Sequence, residues 1–314
     1  MGLYLPIVAN ADHYSQLFPQ NSLWEPAILH LAKKHKLPGE PRRASTGSHI
    51  VYRVGDYWIK LMAPLFAKDI AFEVGGLNSI KGRVSVAVPL ILAQGVLEGW
   101  SYIILSHVTG DRVGEVWPGL SPSQKTDLAR HIGQITLELQ ACAADPVLKL
   151  RGDWTEFIRS RLRDVVAHHQ SKKMDPLWLA GLPAFMGRFK EEEFVGDKEV
   201  FLHADLTRDH FLVGQRDGRP VVSGVIDLAD CRVGLSEYDI PATAAFIFMK
   251  EPASLREYLQ GLGYKEDQLN QRMSEKLMAW TCLHLYSDLK NYFSHDTPLH
   301  TPGDFASLAY SVFP

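Results

Sequence analysis

The hydrophobic period of this 314-residue chain changes character at Thr109-Gly110, and that change limits the folds open to it. Before it, apolar runs are short, rich in β-branched and aromatic residues, and broken by two-residue turns. "HIVYRV" (49–54) and "YWIKLM" (57–62) flank Gly55-Asp56, a hairpin signal. "VAVPLILA" (86–93) and "SYIILSHV" (101–108) lie either side of a Glu98-Gly99 turn. Between the two pairs, Ile70, Val74 and Leu77 recur at helical spacing, weakened by Gly75-Gly76. A further helix is predicted over 23–36. After Thr109-Gly110 the pattern is mostly helical. Ser121-Pro-Ser-Gln124 is a capping box with proline at the first helical position. Leu128, Ile132, Ile135, Leu139 and Cys142 follow at 3–4 spacing. Asp153 to Glu156 opens another helix, with Ile158, Leu162 and Val165 as its stripe. Strands return over 199–226, two of them joined across the 214–220 turn, and helices from Glu237 onward, the longest over 266–293. This order predicts an α+β chain of two lobes: residues 1–105, a connector at 106–110, and a larger lobe over 111–314.

Composition narrows the partners. With 46 % hydrophobic and 22 % charged residues, the chain can bury a large core without staples. A net charge of −3 provides no electrostatic footprint for nucleic acid. Cys142, Cys231 and Cys282 lie far apart, which suits neither a disulfide framework nor a zinc site and points to a reduced, cytoplasmic compartment. The N-terminus lacks the basic region of a secretory signal, and Pro6 stands where a myristoylation signal wants Ser or Thr. The longest apolar run, 84–97, is broken by Ser85, Pro89 and Gln94 and is too short to span a bilayer. The expectation is a monomer or homodimer acting on a small molecule.

The chemistry concentrates in "HADLTRDHFLV" (203–213), where two histidines and two aspartates fall within eight residues. A short strand, "EVFLHAD", enters this loop and another leaves it. The chain then re-enters a strand, "VVSGVID", that ends in Asp227. Paired strands thus deliver Asp205 and Asp227 to one region. Two carboxylates at strand ends suit a hard divalent cation beside a general base. Gly234 and Asp239 follow at fixed distance, with Asp239 placed to cap a helix or to hydrogen-bond the loop.

This pattern resembles the aminoglycoside phosphotransferase and choline-kinase-like group, small-molecule kinases with a protein-kinase-like fold. The resemblance spans about residues 44–245. It implies that Asp205 is the catalytic base, that Asp227 is a Mg²⁺ ligand, and that His203 and Asp239 are structural supports. The family's second metal ligand is an asparagine. His210 stands at that position here, with Asp209 competing for the role. The family also needs a strand lysine on the nucleotide phosphates and a helix glutamate to pair with it. Lys60 and Glu73 occupy those places. The loop Ser45-Thr46-Gly47-Ser48 would cover the phosphates. The backbone of Ser106 and Val108 would take the base of ATP or GTP.

Several residues depart from the protein-kinase pattern. Ala204 replaces the arginine of H-R-D, Leu-Ala follows Asp227 in place of Phe-Gly, and no A-P-E follows. The reading is therefore a kinase that phosphorylates a hydroxyl of a small substrate, an aminoglycoside or other antibiotic among the candidates. Asp230, Glu237 and Asp288 are candidate contacts for its amino groups. A neutral imidazole at 210 holds Mg²⁺ less well than an amide oxygen would. Two rivals remain: a kinase fold that binds nucleotide without turnover, and a metal-dependent oxygenase using H-x-D with His284 as a distant ligand.

Overall fold

The computed structural model describes residues 4–45, 47–248, 251–293 and 300–313. Two helices, α1 (Ala11–Leu17) and α2 (Glu25–Lys34), precede a five-stranded antiparallel sheet. Its strands are β1 (Pro41–Arg43), β2 (Ile50–Val54), β3 (Tyr57–Met62), β4 (Ile91–Leu97) and β5 (Trp100–Ser106), in the order β1-β2-β3-β5-β4. Helix α3 (Ala67–Ile80) lies between β3 and β4 in sequence. The two-residue period of β3 decides what each face does. Ile59 and Leu61 join Trp24, Ile28 and Leu31 in a core shared with α2. Lys60 lies on the other face, opposite Ile103, which packs in the main core with Phe72 and Leu77 of α3.

Helix α1 had no counterpart in the sequence reading, and the strand expected over 86–93 is displaced. Ala87 instead makes a parallel bridge to Gly224, its N–H donating to Ser223 and its carbonyl accepting from Val225. Pro89 has no N–H for a ladder, so β4 starts beyond it, at Ile91.

The second half holds β6 (Asp111–Arg112), α4 (Val113–Val116), α5 (Pro122–Gln140), α6 (Trp154–Ser171), α7 (Pro176–Met186), β7 (Val200–Leu202), β8 (Phe211–Arg216), β9 (Arg219–Val225) and β10 (Arg232–Gly234). The helices α8 (Ile240–Phe246), α9 (Pro252–Gly261), α10 (Gln271–Leu283), α11 (Leu289–Tyr292) and α12 (Phe305–Val312) complete it. Ser121 and Gln124 form both bonds of the expected capping box, and Asp153 caps α6. β8 pairs with β9 through an Asp217-Gly218 turn, so the hairpin loop is shorter than the 214–220 span expected.

The long helix expected over 266–293 is broken. Arg161 of α6 donates Nε to Leu283 O at 2.9 Å and Nη2 to His284 O at 3.2 Å, while His169 contacts Cys282 O at 3.0 Å. Tertiary partners thus satisfy the terminal carbonyls of α10. The chain turns out at His284 and helix restarts as α11, capped by Asp288.

Gly75 and Gly76 permit a close crossing. A Cβ on Gly75 would sit 2.2 Å from Val147 Cγ1, and one on Gly76 would sit 2.6 Å from Cys231 Sγ and 2.7 Å from Leu228 Cβ. Helix α3, and with it Glu73, therefore lies directly against the segment that follows Asp227. Gly76→Ala gains about 1 kcal/mol of helix propensity but overpacks this contact at about 1–3 kcal/mol. We expect a net loss of about 1 kcal/mol, read as a lowered denaturant midpoint at unchanged slope.

Candidate active site

Three elements meet at one ammonium. Lys60 of β3 reaches Glu73 Oε2 of α3 at 2.9 Å and Asp227 Oδ1, just after β9, at 2.7 Å. Lys60 is 5 % exposed and Glu73 2 %. Burial works against the charge on Lys60, but Asp227 and Glu73 outweigh it and raise its pKa. Burial also pushes the Glu73 carboxyl up, with Lys60 pulling against it. Burial opposes the charge on Asp227 too, yet Lys60 and then His210 hold its carboxyl well below the usual carboxylate range.

The loop after β7 is held in a strained form. Ala204 has φ +65° and Asp227 φ +63°, a region costly for residues with a Cβ. Asp239 supplies the compensation. It is fully buried and accepts from Ala204 N–H at 2.7 Å and His203 N–H at 3.3 Å. It bonds the loop rather than capping α8 with its side chain, the second of the two expected roles. His203 is also fully buried, its Nε2 donating to Ile226 O at 3.1 Å. That bond ties the loop to the strand end carrying Asp227. Burial pushes the His203 imidazole down to about 3, so it is neutral and carries no proton traffic.

His210 stands between the two carboxylates. Its Nδ1 lies 2.5 Å from Asp205 O and 3.4 Å from Asp205 Oδ2, and its Nε2 lies 3.8 Å from Asp227 Oδ2. A carbonyl can only accept, so Nδ1 carries the proton. In the neutral ring, Nε2 then turns a lone pair toward Asp227 Oδ2, and a cation or a second proton at that gap satisfies both atoms. Among the described residues, no group of three or more His, Cys, Asp or Glu could hold a metal ion unaided. The residues fit a divalent cation that takes its other ligands from phosphate and water, as Mg²⁺ does at nucleotide sites. Asp209 lies instead 3.7 Å from Arg112. Burial, with Asp230 and Asp227 nearby, pushes the Asp205 carboxyl up to about 6, although His210 opposes this.

These groups line a cavity of about 710 Å³ between the sheet and the helical half. Ser45, Gly47 and Ser48 line it, as do Ser106 and Val108, while Thr46 lies outside the described residues. The Ser106 N–H is taken by Leu90 O at 2.8 Å, whereas the Val108 N–H has no backbone acceptor among the described residues. The lining residues that were not foreseen include His49 and Arg208. His49 is largely buried with an unpartnered Nδ1, and burial pushes it down to about 4. Arg208 lies within the loop already singled out, where a cation among carboxylates was the available signal.

The substrate candidates do not all converge. Asp230 accepts from Tyr286 Oη at 2.5 Å, and Asp288 lines a second cavity. Glu237 pairs with Lys276 at 3.0 Å and lines neither cavity. Tyr286 lines the same cavity as Asp288, so Asp230 and Asp288 adjoin one cavity and Glu237 stands apart. His284 is buried and stacked on Tyr238, with ring centroids 4.6 Å apart.

Fold and site together define a kinase-like phosphotransferase, and comparison agrees. The chain belongs to the phosphotransferase enzyme family, whose model matches residues 42–273. No curated protein matches it. Among solved structures it is similar to the GDP complex of wild-type aminoglycoside 2'-phosphotransferase-IIIa, with TM-score 0.68, 16 % identity, and 91 % of this chain and 95 % of that one covered. It is also similar to the streptomycin–ATP ternary complex of APH(2")-IIa, with TM-score 0.61, 17 % identity, and coverage of 89 % and 96 %. Aminoglycoside phosphotransferase APH(4)-Ia matches with TM-score 0.57, 16 % identity, and coverage of 90 % and 94 %. The fold is thus the bilobal kinase-like α+β fold. The oxygenase chemistry usually sits in a double-sheet barrel, whereas the described residues form separate sheets of five, three and two strands. No described helix is long and apolar enough to cross a membrane.

Asp239 yields a pH prediction. Burial pushes its carboxyl up to about 7, although the Ala204 and His203 N–H groups pull it down. Its folded pKa exceeds the unfolded value, so its contribution is full below about pH 4 and is lost as pH rises through about 7. Asp239→Asn should lower the denaturant midpoint and shrink its difference between pH 5 and pH 7.5.

Proposed function

We propose that the chain transfers the γ-phosphoryl group of ATP or GTP to a hydroxyl of a small molecule, with residues 106–110 as the hinge between its lobes. The observation that carries this is the convergence of Lys60, Glu73, Asp227 and Asp205 on one cavity from four separate segments. Lys60, held by Glu73, binds the nucleotide phosphates. The loop with Ser45, Thr46, Gly47 and Ser48 covers them. Ser106 and Val108 face the base, Val108 with its N–H open. Asp227 and His210 would hold Mg²⁺, which neutralises charge on the phosphates when bound. Asp205 orients the acceptor hydroxyl and takes its proton as the new O–P bond forms and the nucleoside diphosphate leaves. Catalysis here is mostly positioning and electrostatics. The intact lysine and aspartates favour turnover over a nucleotide-binding protein without activity.

Structural neighbours in complex with kanamycin and gentamicin make aminoglycosides one acceptor class to assay. Of the candidate carboxylates for a polycationic acceptor, Glu237 is paired with Lys276 and lines neither cavity, while Asp230 bonds Tyr286 of the cavity that Asp288 lines.

Loss of general-base help costs about 10²–10⁴ in rate. Asp205→Asn is therefore expected to lower kcat by at least 100-fold with nucleotide affinity and thermal stability close to wild type. Near-normal turnover in that variant removes Asp205 from the chemistry. Lys60→Ala should instead weaken nucleotide binding, measured by calorimetry with ADP and Mg²⁺.

A further inference from the structure

A second cavity of about 730 Å³ shares Arg208 and Phe246 with the first. Aromatic side chains of Trp117, Phe246, Tyr286 and Tyr292 form part of its wall. Of its two carboxylates, Glu251 is paired with a cation and Asp288 is hydrogen-bonded to a neutral amide. Glu251 Oε1 accepts from Lys125 Nζ at 2.6 Å and Trp117 Nε1 at 3.0 Å. Asp288 accepts from Asn291, from the backbone N–H at 3.2 Å and from Nδ2 at 2.8 Å. Its two cations are not engaged. Neither Arg208 nor Lys172 has a carboxylate within ion-pair distance among the described residues. The exposed Arg208 side chain lies over Gly114. Its Cγ and Cδ lie 2.9 Å from where a Cβ on Gly114 would sit, and its carbonyl accepts from Gly114 N–H at 3.0 Å. A guanidinium without a carboxylate partner among the described residues can take an anion through its paired N–H donors.

We propose that this cavity is the acceptor site and that Arg208 and Lys172 take an anionic group, phosphate or carboxylate, of a hydroxylated acceptor. This rests on the kinase reading, because it is Asp205, three residues before Arg208 on the same loop, that makes the neighbouring cavity the place of transfer. Lys125 neutralises Glu251, so a polycationic acceptor would meet Arg208 and Lys172 against the charge of Asp288 alone. An anionic one would pair with both while its carbon frame packs on the aromatic wall.

Calorimetry on the full chain without nucleotide tests this with glucose 6-phosphate, gluconate, glucose and kanamycin. The anionic sugars are expected to bind at least about tenfold tighter than glucose, and added salt should weaken them selectively. Comparing glucose 6-phosphate with gluconate distinguishes a phosphate from a carboxylate preference. Arg208→Gln and Lys172→Gln should each lose about tenfold in affinity for the preferred anion, and Arg208→Lys should retain most of it. Equal affinity across the sugars, tighter binding of kanamycin, or unchanged affinity in both glutamine variants would overturn the proposal. ADP binding and ATP turnover in the same preparation report separately on the kinase reading. Nucleotide turnover without anion preference sinks only this inference. Anion preference without any nucleotide binding sinks the kinase reading.

Discussion

The buried ion pair of Lys60 with Glu73, extended to the half-exposed Asp227, is the constraint on which the site depends. It joins a sheet strand, the helix on that sheet and the end of a hairpin in the other half of the chain. A buried ammonium without partners would shed its proton, and buried carboxylates without a cation would take one up. Removing one member of such a pair costs about 3–5 kcal/mol, because the other charge is left unpaired. The same contact brings the two halves to a fixed distance and leaves a cavity between them. Gly75 and Gly76 contribute by letting α3 approach within contact of Cys231 and Leu228.

A second constraint is the strained backbone at Ala204 and Asp227. Each conformation is held by hydrogen bonds from groups that do not face the cavity. Asp239 grips the N–H groups of His203 and Ala204, and His203 reaches across to Ile226. The imidazole and carboxylate of these supports are fully buried, which fixes the loop without exposing further acid–base groups to a ligand. His210 alone among the histidines of this loop faces both Asp205 and Asp227. The supporting and the reactive residues of one eight-residue stretch are thus separated by burial.

The charge of the cavities follows from which side chains have already found partners. Glu237 and Glu251 are committed to Lys276 and Lys125, so their presence in the sequence overstates the acidity offered to a ligand. Arg208 and Lys172 stand in the opposite situation. Residue counts cannot reveal this, because pairing depends on which helices come together.

The alternation in β3, the capping box at Ser121 and the Asp153 cap were all legible locally, because each depends on residues within one turn or one strand. The spacing of His203, Asp205, Asp227 and Asp239 was legible for the same reason, since two short strands deliver them. Where the reading failed, distant atoms intervened. Arg161 and His169 took the carbonyls that ended α10, and Ser223 and Val225 drew Ala87 out of the β4 ladder. The three-residue strand β10 was too short to announce its pairing with β7. The sequence by itself determined which residues could do the chemistry, through type, period and spacing. Only the tertiary structure decided that Lys60 meets Asp227, that Glu237 stands apart, and that Arg208 is left free. Those outcomes depend on contacts between segments dozens of residues apart, and no local pattern encodes them.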